Sequence, residues 1–347
     1  MNKQNILALA LKPAMRVTES VGIGIVLMLT AAAIAMITSS AASASSPCGG
    51  PTATRLVTGL EGAMGSTIGP DGALYVTEGA AGRISRVDPQ TGEKTTFASG
   101  LPPAIIGIGG AIDLAFIDNV AYVLVTLVND PLFPTSDVDG IYRVDGPDSF
   151  TVVADIGAFN LATPPTIQFP YFIATGLQYA LQTYRGGFLV ADSHLNRVLR
   201  VTLDGEISVS IAFDNIVPTG LEVRGNTVYM AEAGPDPHVP QDGKVVSFGS
   251  RSPTPTEVAS GTPFLLDVEF GGGRLYALSH GTVDPNIDPS NAVPYTGALV
   301  KVNGDGTFTV IMDGLDRPTS LEFIGNTAYF VTLTGEIWKI DGVRCPR

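Results

Sequence analysis

Two cysteines, Cys48 and Cys345, and one tryptophan, Trp338, are all that 347 residues contain of either type. So few thiols exclude a cysteine-rich scaffold and a Cys-His metal centre. Positive charge is also scarce: 20 Lys and Arg stand against 33 Asp and Glu, for a net charge of -13. An acidic surface repels phosphate backbones and anionic lipid, which sets nucleic acid and membrane surfaces aside as partners and favours a metal ion or a cationic ligand. The chain has no HExxH, no GxSxG nucleophile elbow and no strand-GxGxxG-helix context, so metalloprotease, hydrolase-elbow and nucleotide-loop chemistry lack their usual carriers. No long helical period occurs either.

The one long apolar run, 21–37, follows a mildly basic start with Lys3, Lys12 and Arg16 and leads into Ala42, Ser43 and Ala44. Small residues around that point have the form of a signal-peptidase site, so residues 1–44 read as a signal peptide and the mature protein as secreted, periplasmic or held at the cell surface. The rival reading is an uncleaved anchor, since a run of this length is near the lower limit for spanning a bilayer. Residues 45–53 form a short linker that carries Cys48. Loss of the leader takes the net charge from -13 to about -15.

What the chain has in quantity is turns and short strands, with 40 Gly and 25 Pro. The clearest unit runs from Pro318 to Asp341: Leu321 and Phe323 alternate with polar neighbours, Gly325 and Asn326 make a tight turn, Ala328 to Val331 is an apolar run, and Gly335 leads into Ile337, Trp338 and Ile340. The pattern recurs, with landmark residues at Tyr75, Tyr122, Leu189, Tyr229, Tyr276 and Tyr329. Repetition of four-stranded units at this spacing predicts an all-β chain folded as a six-bladed β-propeller, with blades at about 65–98, 112–154, 175–212, 219–259, 266–311 and 320–341.

The last unit is one strand short, and residues 54–58 resemble the missing outer strand. Pairing them with the last blade closes the propeller domain, 54–343, and removes two sheet edges. Cys48 then lies near Cys345, because the start of one antiparallel strand adjoins the end of its partner. A disulfide between them is expected, stabilising the fold by roughly 4 to 5 kcal/mol.

In a propeller the first strand of a blade starts on the face where the second strand ends. Matching inner-strand starts gives Ser66, Asp113, Gly176, Gly220, Asp267 and Ser320. Second-strand ends give Glu78, Val125, Asp192, Glu232, Ser279 and Thr332. Five carboxylates, Asp113, Asp267, Glu78, Asp192 and Glu232, are therefore expected around one mouth, where crowded oxygens suit Ca²⁺ or Mg²⁺. His194, His238 and His280 fall on the same face, with His194 and His280 as candidate proton carriers. The insertions Asn129–Pro134, Gly234–Pro240 and His280–Thr296 open there too and suit a lid. Taken singly, each strand-end carboxylate also fits an ordinary role of accepting hydrogen bonds from turn amides.

The units Thr58–Leu60 before Ile68–Glu78, and Pro218–Glu232, resemble the exported ScyD/ScyE family of β-propellers over roughly residues 52 to 343. That resemblance implies a six-bladed fold and export, the founding members belonging to scytonemin pigment biosynthesis. A wider resemblance to gluconolactonase-type and NHL-repeat propellers implies a divalent metal held by Glu, Asn and Asp facing the channel. Asp267 matches the Asp, and Glu78 or Glu232 the Glu, while Gly176 and Gly220 occupy inner-strand positions and no Asn stands there. Two functions follow as expectations. One is a non-catalytic propeller binding a small-molecule or glycan ligand, or a protein through its Pro-rich loops. The other is a metal-assisted hydrolase, lyase or cyclase acting on a small organic substrate.

Overall fold

The computed structural model describes residues 50–166, 173–238, 241–249, 252–284 and 292–344. The leader 1–44, Cys48 and Cys345 lie outside the described residues, so the export signal and the disulfide stay expectations. Among the described residues, 24 strands form six four-stranded antiparallel sheets.

Blade 1 is β2 (Ala63–Ile68), β3 (Leu74–Glu78), β4 (Arg83–Val87) and β5 (Lys94–Ser99). Blade 2 is β6 (Gly110–Ile117), β7 (Val120–Thr126), β8 (Gly140–Gly146) and β9 (Ser149–Asp155). Blade 3 is β10 (Gln178–Thr183), β11 (Gly187–Asp192), β12 (Arg197–Thr202) and β13 (Ile207–Ala212). Blade 4 is β14 (Pro218–Arg224), β15 (Thr227–Glu232), β16 (Gly243–Gly249) and β17 (Ser252–Thr262). Blade 5 is β18 (Leu265–Gly271), β19 (Arg274–Ser279), β20 (Gly297–Val302) and β21 (Phe308–Leu315). Blade 6 is β22 (Pro318–Ile324), β23 (Thr327–Thr332) and β24 (Ile337–Asp341), completed by β1 (Thr52–Val57).

The inner strands touch in the cyclic order β2, β6, β10, β14, β18, β22 and back to β2. Blades 1 and 4, 2 and 5, and 3 and 6 therefore face one another across a channel. The closing strand β1 pairs with β24 from Thr52 opposite Asp341 to Val57 opposite Ile337, as the detached strand predicts.

The landmark aromatics hold neighbouring blades together. Tyr75 meets Phe116 of blade 2 at 4.9 Å, Tyr122 meets Phe188 of blade 3 at 4.9 Å, Tyr229 meets Phe270 of blade 5 at 5.3 Å and Tyr276 meets Phe323 of blade 6 at 4.8 Å. Tyr329 donates its hydroxyl hydrogen to Pro89 O of blade 1 at 3.2 Å, carrying the pattern across the closing joint. Each aromatic pair adds about 0.5 to 1.5 kcal/mol beyond the area it buries.

Among the described residues one α-helix interrupts the strands, besides two single 3-10 turns at Gly79–Ala81 and Ser193–Leu195. α1 (Ile156–Ala162) lies between blades 2 and 3, with Asp155 as its N-cap accepting from Ala158 N at 2.8 Å. It is too short to leave a helical period in the sequence. None of the described helices is long and apolar enough to cross a membrane.

Candidate functional site: a carboxylate-lined channel

The inner strands are not simple ladders. Each carries a register shift near its start, for example between Ala111 and Asp113 in β6, Gln178 and Ala180 in β10, and Leu265 and Asp267 in β18. A bulge adds one residue and reverses which face the following side chains occupy. Counting from the landmark residues places Gly65, Asp113, Ala180, Gly220, Asp267 and Ser320 at one level. The expected Ser66 and Gly176 are corrected to Gly65 and Ala180. Val125, paired with Ala111, holds the second-strand position expected of it, and Thr126 opposite Gly110 extends that strand by one further pair.

Asp113 and Asp267 do the same job on opposite blades. Asp113 accepts from Leu114 N at 2.9 Å and, across the blade boundary, from Leu181 N at 2.7 Å. Asp267 accepts from Val268 N at 2.8 Å and from Leu321 N at 2.7 Å. Glycine precedes each on the neighbouring strand because a Cβ at Gly65 or Gly220 would come within 2.5 Å of the Asp113 or Asp267 oxygen. Burial pushes the Asp113 carboxyl well above its usual range and raises Asp267 to about 7, against the amide hydrogen bonds that favour the ionised form.

Two residues further along, opposite the landmarks, stand Thr67, Ala115, Gln182, Glu222, Glu269 and Glu322. Three consecutive blades thus present a glutamate at the same height. Gln182 donates to Glu222 Oε2 at 3.0 Å and to Leu221 O at 3.0 Å, tying blade 3 to blade 4. Burial raises Glu222 to about 6. Glu269 and Glu322 are pushed well up by burial, and by the neighbouring carboxylates that repel their charged forms. These glutamates escape a reading of strand ends, yet the triplets Leu221-Glu222-Val223, Val268-Glu269-Phe270 and Leu321-Glu322-Phe323 repeat in the sequence.

Asp113, Asp267, Glu269 and Glu322 line a cavity of about 260 Å³ to which no Lys or Arg contributes. The cavity shares Phe116 and Thr183 with a second hollow among the hairpin turns, formed by Ile117, Asp118 and residues 184–187.

The other three expected carboxylates are not part of this cavity. Glu78, fully buried, accepts from Arg83 Nη2 at 2.6 Å, Arg83 Nε at 3.0 Å and Glu61 N at 2.7 Å. Burial pulls its carboxyl up, but these bonds outweigh it and hold it below the usual range. Asp192 accepts from Arg197 Nε at 2.9 Å, Gln178 Nε2 at 2.9 Å and Asn160 Nδ2 at 3.1 Å, and burial nonetheless raises it. Glu232 is raised to about 7 by burial, with Asp242 and Glu257 adding to the effect. Among the described residues, no group of three or more His, Cys, Asp or Glu side chains converges so as to hold a metal ion. Asp113 and Asp267 each accept backbone amides on both oxygens, and Glu78 and Asp192 are paired with Arg83 and Arg197, so the five expected residues do not come together as one Ca²⁺ or Mg²⁺ ligand set.

His238 and His280 are buried and His194 is half-buried. His238 stacks on Phe264 at 4.4 Å and His280 meets the same ring edge-on at 5.1 Å. His238 Nδ1 donates to Gly234 O at 3.1 Å and His280 Nδ1 to Pro318 O at 3.0 Å. Burial lowers His194, His238 and His280 to about 4 each. None of the three lines the carboxylate cavity. The expected meeting of carboxylates and histidines at one entrance is therefore corrected to this extent: the cavity that holds Asp113 and Asp267 has no histidine in its wall.

No family model matches the chain, and no curated protein matches it. Among solved structures, it is similar to a gluconolactonase from Xanthomonas campestris, at 11% identity and a TM-score of 0.55, over 83% of this chain and 89% of that one. It is similar to the PQQ-bound aldose sugar dehydrogenase of Streptomyces coelicolor, at 14% identity and a TM-score of 0.54, over 84% and 98%. It is also similar to virginiamycin B lyase from Staphylococcus aureus, at 14% identity and a TM-score of 0.50, over 84% and 98%. At these identities the likeness is one of fold, and the fold it supports is the six-bladed propeller.

Proposed function

We propose that this protein is an exported, ligand-binding propeller of the ScyD/ScyE kind, whose channel receives the positively charged end of a small organic molecule. The observation that carries the reading is the cavity of about 260 Å³ whose polar wall includes Asp113, Asp267, Glu269 and Glu322 and no basic residue. Like charges at this density either hold protons or attract a cation. An organic ammonium or guanidinium suits the space better than a bare divalent ion, because its several donors can each meet a different carboxylate.

Protons already on Glu269 and Glu322, pushed well above the usual range, must leave as the cation enters. Binding is therefore coupled to proton release and tightens as pH rises. The test is calorimetric titration with agmatine and putrescine, set against the diol of matching chain length, in buffers of different ionisation enthalpy. Expected are binding of the amines alone, protons released to buffer, and a loss of about tenfold or more, roughly 1.4 kcal/mol, in Glu269→Gln/Glu322→Gln. Equal binding of amine and diol, or an unchanged double variant, would reject the reading.

A further inference from the structure

The bulge residues of the inner strands form a row of their own: Met64, Ile112, Tyr179, Thr219, Leu266 and Thr319. Five are small or aliphatic. The sixth, Tyr179 of blade 3, donates its hydroxyl hydrogen to Thr319 O of blade 6 at 2.9 Å. Those two blades are opposite one another, so this side chain crosses the channel. It packs on one side against the cluster holding Met64 and Ile112, and on the other against the cluster holding Phe264 and Leu266. Thr319 is fixed in turn, donating to Met64 O of blade 1 at 2.7 Å. Tyr179 and Thr319 bound the carboxylate cavity at this end.

We infer that Tyr179 bars the channel, making the carboxylate chamber a blind pocket that is filled and emptied only through the hairpin-turn mouth beside Phe116 and Thr183. Tyr179 then sets how long a molecule the chamber takes and denies it contact with the imidazoles on the far side. The inference rests on the path of the channel and holds whatever the ligand's charge, so its failure is separable from failure of the amine-binding reading.

The chamber carboxyls report access directly. With a water-soluble carbodiimide and taurine at mildly acid pH, adducts on Glu269 and Glu322 are counted by peptide mass spectrometry. Thr183→Trp, which fills the hairpin-turn mouth, is expected to cut their labelling at least fivefold, and Tyr179→Ala in the same background to restore it. Tyr179→Phe, which keeps the ring, is expected not to restore it. Tyr179→Leu, which retains apolar packing but cannot reach blade 6, substitutes for the alanine variant should circular dichroism show the latter unfolded. Undiminished labelling in Thr183→Trp would overturn the single entrance, and failure of both Tyr179→Ala and Tyr179→Leu to restore it would overturn the role of Tyr179.

Discussion

Asp267 and the histidines titrate in opposite senses over the same pH range. Burial raises Asp267 from about 4 in an unfolded chain to about 7. Between those values the unfolded state has released a proton that the folded state retains, so this group's contribution is complete below about 4 and is lost as pH rises to 7. His194, His238 and His280, lowered to about 4, act the other way: their contribution is present above about 6.5 and is lost as pH falls towards 4. Glu222, Glu232 and Asp236 are raised to about 6, 7 and 6 and side with Asp267. We therefore expect Tm to decline from about pH 4 to 7, and Asp267→Asn to decline less. A variant that falls as steeply as the parent in differential scanning calorimetry would show that Asp267 ionises like an exposed carboxyl.

Arg197 presents the converse case, a cation enclosed with its partners. Only 3% exposed, it donates to Asp192, to Asn160 Oδ1 at 2.7 Å and to Thr163 O at 2.8 Å, so it fastens the end of α1 to blade 3. Truncation leaves a buried carboxyl without its countercharge, which costs about 3 to 5 kcal/mol. Urea unfolding of Arg197→Ala should show that loss, and a change below about 1 kcal/mol would place the pair among ordinary surface bridges.

At the scale of elements, the strands were readable because their period is short and their turns are marked. The six landmarks, the blade boundaries and the detached first strand all follow from alternating apolar residues broken by Gly, Asn and Asp. The bulges were not readable: one added residue before Asp113, Ala180 or Asp267 leaves hydrophobicity almost unchanged while moving every later side chain to the other face. Asp113 and Asp267 line the channel as their positions in the repeat imply, whereas Ser66 and Gly176 lie one and four residues away from the equivalent positions, Gly65 and Ala180. The strand-end carboxylates are hidden for a different physical reason. Glu78 and Asp192 are consumed by Arg83 and Arg197, five residues later and directly across a strand pair, a pairing that could be seen in the sequence once the register is known.

The closing strand makes a prediction of its own. β1 hydrogen-bonds along β24, and its Val57 joins the cluster of Leu74, Val331 and Ile337 between blades 6 and 1. A chain lacking residues 50–57 keeps β24 as a bare edge, the geometry that invites strand addition from another molecule. Size-exclusion chromatography should find it associated or aggregated, and a monodisperse monomer as stable as the parent would contradict the role given to β1.

For the molecule as a whole, Thr52 opposite Asp341 brings the two ends of the propeller side by side, and the cysteines follow four residues beyond each. Alkylation in denaturant without reductant should add no mass, and after reduction should add two adducts. Two adducts without reductant would remove the clasp and the roughly 4 to 5 kcal/mol assigned to it.

Blade 6 takes one outer strand from the beginning of the chain and three from its end, and nothing in that division belongs to blade 6 alone. Were residues 50 and 344 joined and the backbone opened at the exposed turn between Gly304 and Asp305, β21 would become the first strand and β20 the last. Blade 5 would then be assembled in the same one-and-three manner, with Tyr179, Asp113 and Asp267 undisturbed. The disc is a circle with a movable nick, and circular permutants can carry a fused partner to any sector of its rim while leaving the channel as it is.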